Sequence, residues 1–443
     1  MNAEEIKEQA RLLLAEEARV EPAQIRDDTV LKRLPGMGTG RVLEVIGRLE
    51  RRHGLVIDDQ YLYGLTTLAD LERIVTAQSA PRPEAQPASR PEPKPRPAAG
   101  GAASDGELRG WLRSLEKLVP TPDDLTHYSV DRPTALALMR TDDRTLDTLM
   151  RHGLRHGDGP DGPRFDEHDL YNLAMYCGSG RSVPEVAVRY NVRLARGSVE
   201  SWTRPEVWRI RHFATCPDHG RCDQRWELAP VRPEGFGGEL LEVTHDLLRD
   251  GPVPSGEVAG RPAFMMLDCT VRTAGKRMEL RSPVLRSAYR DALEELRSGK
   301  IRFQSVPAAL RVDASKARAL GVGNCVSTSM HLAQTLAHAG FQVRTRKGYF
   351  VAVGAEDHGW MEVLEDGEWK ALDPALALLA EWDLGAERSA AFTEFCAGSY
   401  LNRFVPCDSR ADEEVVRHWH GDQLFDEVPT TIVTRTAGTA VGK

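Results

Sequence analysis

Three residue types capable of covalent acyl chemistry stand in order along the chain: a cysteine at 325, a histidine at 358 and an aspartate at 373. Gly321-Val322-Gly323-Asn324 reads as a turn, and Val326 to Ala339 reads as a helix closed by Gly340. That places Cys325 in the first turn of a helix, where unpaired N–H groups and the helix dipole favour a thiolate. The same N–H groups are a natural half of an oxyanion hole, and Asn324 is a candidate to help position an oxyanion there, which its place in the sequence does not decide. A thiol of this kind needs an imidazole to take and return a proton, and the imidazole needs a carboxylate to fix its tautomer. Cys325 is therefore the candidate nucleophile, His358 the candidate base and then acid, and Asp373 the candidate orienting group.

Strands must bring these groups together. Gln342 to Arg346 and Tyr349 to Val353 read as a hairpin around Lys347-Gly348. His358 to Leu364 alternates, turns through Glu365-Asp366-Gly367 and returns as Trp369 to Leu372, ending at Asp373-Pro374. His358 then opens one strand and Asp373 closes the next, which sets them side by side. Trp360 and Trp369 are read as packing the core, and Glu362 as facing solvent or a structural partner. Upstream, Gly238 to Lys316 is mixed in pattern and contains a helix over Pro283 to Arg297, with Ser282 as its cap and Pro283 at the first helical position. Downstream, Trp382, Phe392, Phe395, Tyr400 and Phe404 suggest a helical cover over the site. His331 and His338 are read as surface or lining residues.

The run Gly323-Asn324-Cys325, His358-x-Trp360-x-Glu362, Gly367-x-Trp369 and Leu372-Asp373-Pro374 resembles the transglutaminase-like branch of the papain superfamily over about 120 residues. The resemblance implies an α+β catalytic domain in which Cys325, His358 and Asp373 form the triad, with Asn324 and Trp360 in support. It implies no cofactor. A calcium loop is absent, which argues against a calcium-dependent protein cross-linker.

The clearest boundary elsewhere is Ser79 to Ser104, a stretch holding seven Pro and seven Ala and no Ile, Leu, Val or Phe. It cannot bury a core and reads as an extended tether. Before it, Ile6 with Leu12 to Leu14, Val42 to Leu49, and Leu68, Leu71 and Ile74 supply the apolar faces of three helices. The stretch Leu43 to Leu55, with the helix-ending Gly54, resembles the second helix of an acyl or peptidyl carrier protein. Thr39, between Gly38 and Gly40, occupies the position where carriers attach phosphopantetheine to a serine, so the module is expected to carry no prosthetic group. After the tether, Arg132 to Met139, Thr141-Asp142-Asp143 and Thr145 to Met150 have helix-turn-helix spacing. With Arg164 to Leu170 they resemble MerR-type or excisionase-like DNA readers. Between His127 and Phe213, 13 Arg face 12 acidic residues, so the segment lacks the basic excess of a DNA-binding face.

The expected architecture is multi-domain α+β: residues 1–78 a carrier-like helical bundle, 79–104 a Pro/Ala linker, 105–230 a helical segment, and 231–435 the catalytic domain. With 443 residues, a formal charge of −8 and 41% apolar residues, the composition is that of a globular chain rather than a collagen-like or disordered one. No apolar run is long enough to span a bilayer, and MNAEEIKEQA lacks the basic-then-apolar pattern of a signal peptide, so a cytoplasmic chain with no membrane partner is expected. Seven cysteines have no framework spacing and read as free thiols. Cys216 to Cys222, with His219 between and His212 nearby, does not have a usual zinc spacing, and no metal is expected. A carrier-like module tethered to a thiol site points to an acyl or aminoacyl thioester delivered on a partner carrier or synthase, an amine as acceptor, and amide formation in natural-product biosynthesis. A cysteine peptidase or amidase is the enzymatic alternative. A non-catalytic DNA- or protein-binding scaffold with a relict triad is the third, DNA itself not being expected.

Overall fold

The apolar periodicity of the N-terminal segment is realised as three helices, Ala3–Ala18, Thr39–His53 and Leu68–Gln78, in a computed structural model of the chain. The structure describes residues 3–18, 20–31, 34, 39–53, 57, 62, 65, 67–78, 105–214, 216, 225–234, 238–246, 255–258, 261–353, 356–420, 422–425, 428 and 430–436. The Pro/Ala tether lies outside them. The helices bury Ile6, Leu13 and Leu14, then Val42, Val45, Ile46 and Leu49, then Leu68, Leu71 and Ile74. Leu12 departs from the expected apolar face and is exposed.

The chain is multi-domain α+β. Residues 1–118 with 127–187 form one compact unit, and residues 119–126 with 188–443 form another. In the first, helices Arg132–Met139 and Asp143–Arg151 are separated by a turn in which Arg140 adopts a left-handed φ of 50°. Each starts on an aspartate cap: Asp131 accepts from Thr134 N at 2.9 Å, and Asp142 accepts from Thr145 N at 2.9 Å. A small antiparallel sheet follows, ordered Tyr128–Val130, Gly162–Asp166, Gly157–Gly159, and then the helix Glu167–Met175. Trp111, Met139, Leu146, Leu149, Phe165, Leu170 and Leu173 make its core.

The second unit holds two larger antiparallel sheets. One runs Thr430–Thr436, Glu206–Ala214, Arg261–Thr273, Glu239–Asp246, with Ser255–Val258 also on Arg261–Thr273. The other runs Ala397–Gly398, Glu368–Leu372, Glu356–Glu365, Val343–Phe350, Phe404–Pro406. Helices Pro283–Arg297, Cys325–His338, Pro374–Leu384 and Ala386–Phe395 pack with the second sheet around Leu293, Leu332, Leu336, Met361, Val363, Leu376 and Phe392. Among the described residues, no helix is long and apolar enough to cross a membrane.

One local expectation is corrected. Lys347-Gly348 is not a hairpin turn but the middle of one strand, Val343–Phe350, which pairs throughout with Glu356–Glu365. Lys347 is almost fully buried and neutralised by Asp357 at 3.1 Å and Glu414 at 2.7 Å. A polar-plus-glycine pair signals a turn only when it is solvated; here an ion-pair network replaces the solvent. The helix Pro283–Arg297 starts where expected, with Ser282 at the cap position and Pro283 first. The Ser282 side chain makes no cap bond; instead the Glu365 carboxylate accepts from Ser282 N at 2.6 Å and Arg281 N at 2.9 Å.

Candidate active site

The helix that opens on Cys325 starts there because Asn324 caps it. Asn324 Oδ1 accepts from Ser327 N at 2.9 Å, and Ser327 Oγ accepts from Asn324 N at 3.0 Å, a reciprocal capping box. The oxygen of Asn324 is thus committed to the helix. Ahead of it, Val322–Gly323 pairs in parallel with Arg302–Phe303, and Gln304 N donates to Gly323 O at 2.8 Å, which anchors the chain entering the helix. Gly340, at φ 89°, ends the helix as its position predicts. Cys325 is partly exposed, whereas Cys177, Cys216, Cys269, Cys396 and Cys407 are buried. Burial and the nearby Asp373 push the Cys396 thiol well above its ordinary value, which disfavours its thiolate.

His358 and Asp373 sit on neighbouring strands. The register pairs Met361 with Leu372, so Asp373 falls opposite Trp360 and lies diagonal to His358, two residues along. Diagonal neighbours are within reach of long side chains, and His358 Nε2 meets Asp373 Oδ2 at 2.5 Å. The Cys325 thiol is near enough to His358 to raise its pKa. Burial by itself would lower the His358 pKa. The charge and hydrogen bond of Asp373, with the hydrogen bond of Cys325, outweigh it and hold His358 well above the usual histidine range.

Asp373 is fixed twice. Its Oδ2 takes the histidine, and its Oδ1 accepts from Leu376 N at 2.9 Å as the N-cap of Pro374–Leu384, with Pro374 at the first helical position. The Asp-Pro pair read from the sequence as a strand end is also a helix start. Both oxygens of the carboxylate are thereby held in place.

The imidazole is boxed by aromatic rings. Trp360 lies 6.2 Å from it at 20°, Phe350 and Phe404 each 5.7 Å away, and Phe404 stacks on Trp360 at 4.7 Å and 13°. Trp360 Nε1 donates to Glu362 Oε1 at 3.1 Å, and Arg344 Nε donates to Glu362 Oε2 at 2.5 Å, with Arg346 at 3.5 Å. Glu362 is fully buried with structural partners rather than facing solvent. Its burial was hidden because both faces of Glu356–Glu365 are covered, so simple alternation gives no inside and outside. Register does show the grouping: His358, Trp360 and Glu362 share a face with Gly348, Arg346 and Arg344. Phe350, which sequence reasoning missed, and Phe404, read as part of a helical cover but lying in a strand, complete the surroundings of the imidazole.

The helix and the histidine strand are closely set. Ser329 Oγ donates to Gly359 O at 3.2 Å, and a Cβ at Gly359 would lie 3.0 Å from Val326 Cγ2 and 3.3 Å from Val326 Cα. Gly359→Ala is expected to push the first helical turn from the strand and slow alkylation of Cys325 by iodoacetamide about tenfold. The circular dichroism spectrum should be unchanged, and an unchanged alkylation rate would show that this spacing does not set thiol reactivity.

Other sequence candidates lie apart from this cluster. Thr39 is the first residue of the helix Thr39–His53, and its side chain is outside the described part of the structure. Across the helices Arg132–Met139 and Asp143–Arg151, exposed Asp143 and Asp147 both bind Arg132 at 2.6 Å. A phosphate backbone would meet those carboxylates. Cys216 is described, but Pro217 to Gln224, including His219 and Cys222, are outside the described residues. Trp382 is exposed and edge-on to Phe303 at 5.8 Å, while Phe392 and Phe395 are buried edge-on against Trp202 at 5.1 Å each.

No family model matches the chain, and no curated protein matches it. A crystal structure from Cytophaga hutchinsonii, of a protein provisionally assigned as a cysteine protease, aligns with 54% of this chain and 93% of its own at 11% identity and a TM-score of 0.28. At that score the likeness fixes neither the fold nor the activity of this chain.

Proposed function

We propose that the second unit is a cysteine-dependent acyltransferase that carries its acyl group as a thioester on Cys325. The observation that carries this reading is the trio of a partly exposed helix-start thiol, a buried imidazole bonded to Asp373 whose pKa is held up by that carboxylate and by Cys325, and the carboxylate itself locked by a helix cap. In the first step the Cys325 sulfur attacks the donor carbonyl. The donor thiolate leaves and takes the proton of the His358 imidazolium. In the second step an amine attacks the Cys325 thioester, His358 takes the amine proton, and Cys325 leaves as thiolate, restoring the ion pair. N–H groups of the first helical turn, which have no acceptor within the helix, are placed to receive the oxyanion. Asn324 supports that turn by capping it, and Trp360 holds the imidazole plane.

The finer reading is that the donor is an acyl or aminoacyl thioester on a carrier protein and the product an amide. Its support is the carrier-like N-terminal module in the same chain. Exchange between thioesters is close to thermoneutral, so Cys325 need not activate a stable amide. The decisive test incubates the full chain with acyl-carrier thioesters and measures intact mass. An acyl adduct present in the native chain and absent from Cys325→Ala is expected. No adduct with any thioester or activated ester would leave only a binding role. With amine present, free acid in place of amide would make the protein a hydrolase.

A further inference from the structure

Two residues before His358, on the same strand, stands an acid that the trio does not use. Glu356 opens Glu356–Glu365, and side chains two apart on a strand share a face, about 7 Å from each other along it. Phe350 pairs with Glu356 across the ladder and lies 5.7 Å from the imidazole, so the three side chains occupy one corner of the sheet. Glu356 is exposed, yet desolvation and the negative Asp357 push its carboxyl up to about 7, against the opposing pull of Asn191 and His358. An exposed group that protein still crowds is one on the wall of a cleft. Asn191, 8% exposed, orients it: Asn191 Nδ2 donates to Glu356 Oε1 at 3.0 Å. The other acids of the hairpin 356–372 each meet a cation, among them Asp357 with Lys347 at 3.1 Å and Glu365 with Lys370 at 2.6 Å. Among the described residues, Glu356 pairs with no lysine or arginine.

We propose that Glu356 is the cation-recognising residue of the site and that it selects an alkylammonium as the acyl acceptor. The cation site stands on the geometry alone, while the transfer step rests on the acyltransferase reading above. An alkylamine is protonated near neutral pH and must shed a proton before its lone pair is free. The Glu356 carboxylate binds the ammonium and accepts that proton. The freed nitrogen attacks the Cys325 thioester carbonyl and forms the C–N bond. Its second proton goes to His358, the C–S bond breaks, and Cys325 leaves as thiolate. Glu356 then returns its proton to solvent, so atoms and charge balance and no electrons are exchanged. Asp357 does not compete, because it faces the other side of the strand and is matched by Lys347. Water carries no charge for Glu356 to hold, so the residue favours an amine over water as acceptor.

The first test needs no acyl transfer. The full chain reacts at pH 8.5 with trimethylammonioethyl and sulfonatoethyl methanethiosulfonates, and peptide mass reads modification of Cys325. Relative to a small free thiol, the cationic reagent should be favoured over the anionic one about tenfold. High salt should shrink that preference, Glu356→Gln should abolish it, and Glu356→Asp should restore part of it. No cation preference in the native chain, or one that Glu356→Gln leaves intact, would overturn the site. The native result decides even if a variant fails to fold. The second test discharges the acyl-enzyme with butylamine, a cation at this pH, or with neutral hydroxylamine. Glu356→Gln should lose about tenfold more in kcat/KM with butylamine than with hydroxylamine, chiefly through KM. Equal losses with both would make Glu356 a structural residue and overturn the assignment. A native chain that shows the cation preference but forms no acyl-enzyme would overturn the transferase reading alone and leave the cation site standing.

Discussion

Asp373→Asn is expected to slow acylation of Cys325 about 10³-fold at pH 8 while leaving the fold almost untouched. The separation is possible because the carboxylate has two tasks carried by different oxygens. Oδ1 caps Pro374–Leu384 through Leu376 N at 2.9 Å, and asparagine caps as well as aspartate does. Oδ2 bonds His358 Nε2 at 2.5 Å, and only a carboxylate supplies charge there. Without that charge, burial becomes the dominant influence on His358 and drives its pKa down. The basic limb of the pH–rate profile reports loss of the imidazolium. In the native chain it should lie well above pH 6.5, and in Asp373→Asn it should move below neutral.

The same linkage bears on stability, with a fixed sign. A histidine whose folded-state pKa is raised contributes stability that is fully present below about pH 6.5 and is lost as pH rises through the folded value. The native chain should therefore lose stability on the alkaline side of neutral relative to Asp373→Asn, which lacks the contribution. Asp373→Ala removes cap and charge together and should cost both Tm and rate. Stopped-flow acylation and thermal melts across pH distinguish the two variants. A basic limb unmoved in Asp373→Asn would show that His358 does not owe its protonation to this carboxylate.

Why so much of this site was legible, and some was not, follows from the physics of each residue. Asn324, Cys325 and Gly340 announce a helix with a cap at one end and a left-handed residue at the other; both signals are local and need no tertiary knowledge. His358 and Asp373 are linked by a short hairpin whose turn, Asp366-Gly367, has positive φ at both positions, as the sequence pair demands. Glu362 and Lys347 share a reason why sequence alone leaves their surroundings open. Each is charged, Glu362 read as facing solvent or a structural partner and Lys347 as part of a turn, and each is buried by ion pairs to other strands or segments: Arg344 and Arg346 for the first, Asp357 and Glu414 for the second. Pairing of that kind is invisible until the register is known. Leu12, exposed on a helix whose neighbours Leu13 and Leu14 are buried, is the opposite case of an apolar residue that no face absorbs.

Gly348 shows what the misread turn concealed, and Gly348→Ala should be among the most damaging single substitutions in the second unit. Its φ is not in the left-handed region, so conformational freedom is not why glycine stands there. The reason is space. A Cβ at Gly348 would lie 2.3 Å from Val405 O, 2.7 Å from Pro406 Cα and 3.0 Å from Cys407 N, all of them backbone. No flexible side chain can move aside, so the edge strand Phe404–Pro406 must peel from Val343–Phe350, where Gly348 pairs with Pro406 and Phe350 with Phe404. Overpacking of this kind costs about 3 kcal/mol. Phe404 would travel with its strand, and it is the ring that stacks on Trp360 and flanks His358 at 5.7 Å. The variant should therefore show a lowered Tm together with slowed acylation of Cys325 at temperatures where it remains folded. Native rate with lowered Tm would mean that the aromatic box is dispensable for holding the imidazole, and native Tm would mean that the edge strand yields at no cost.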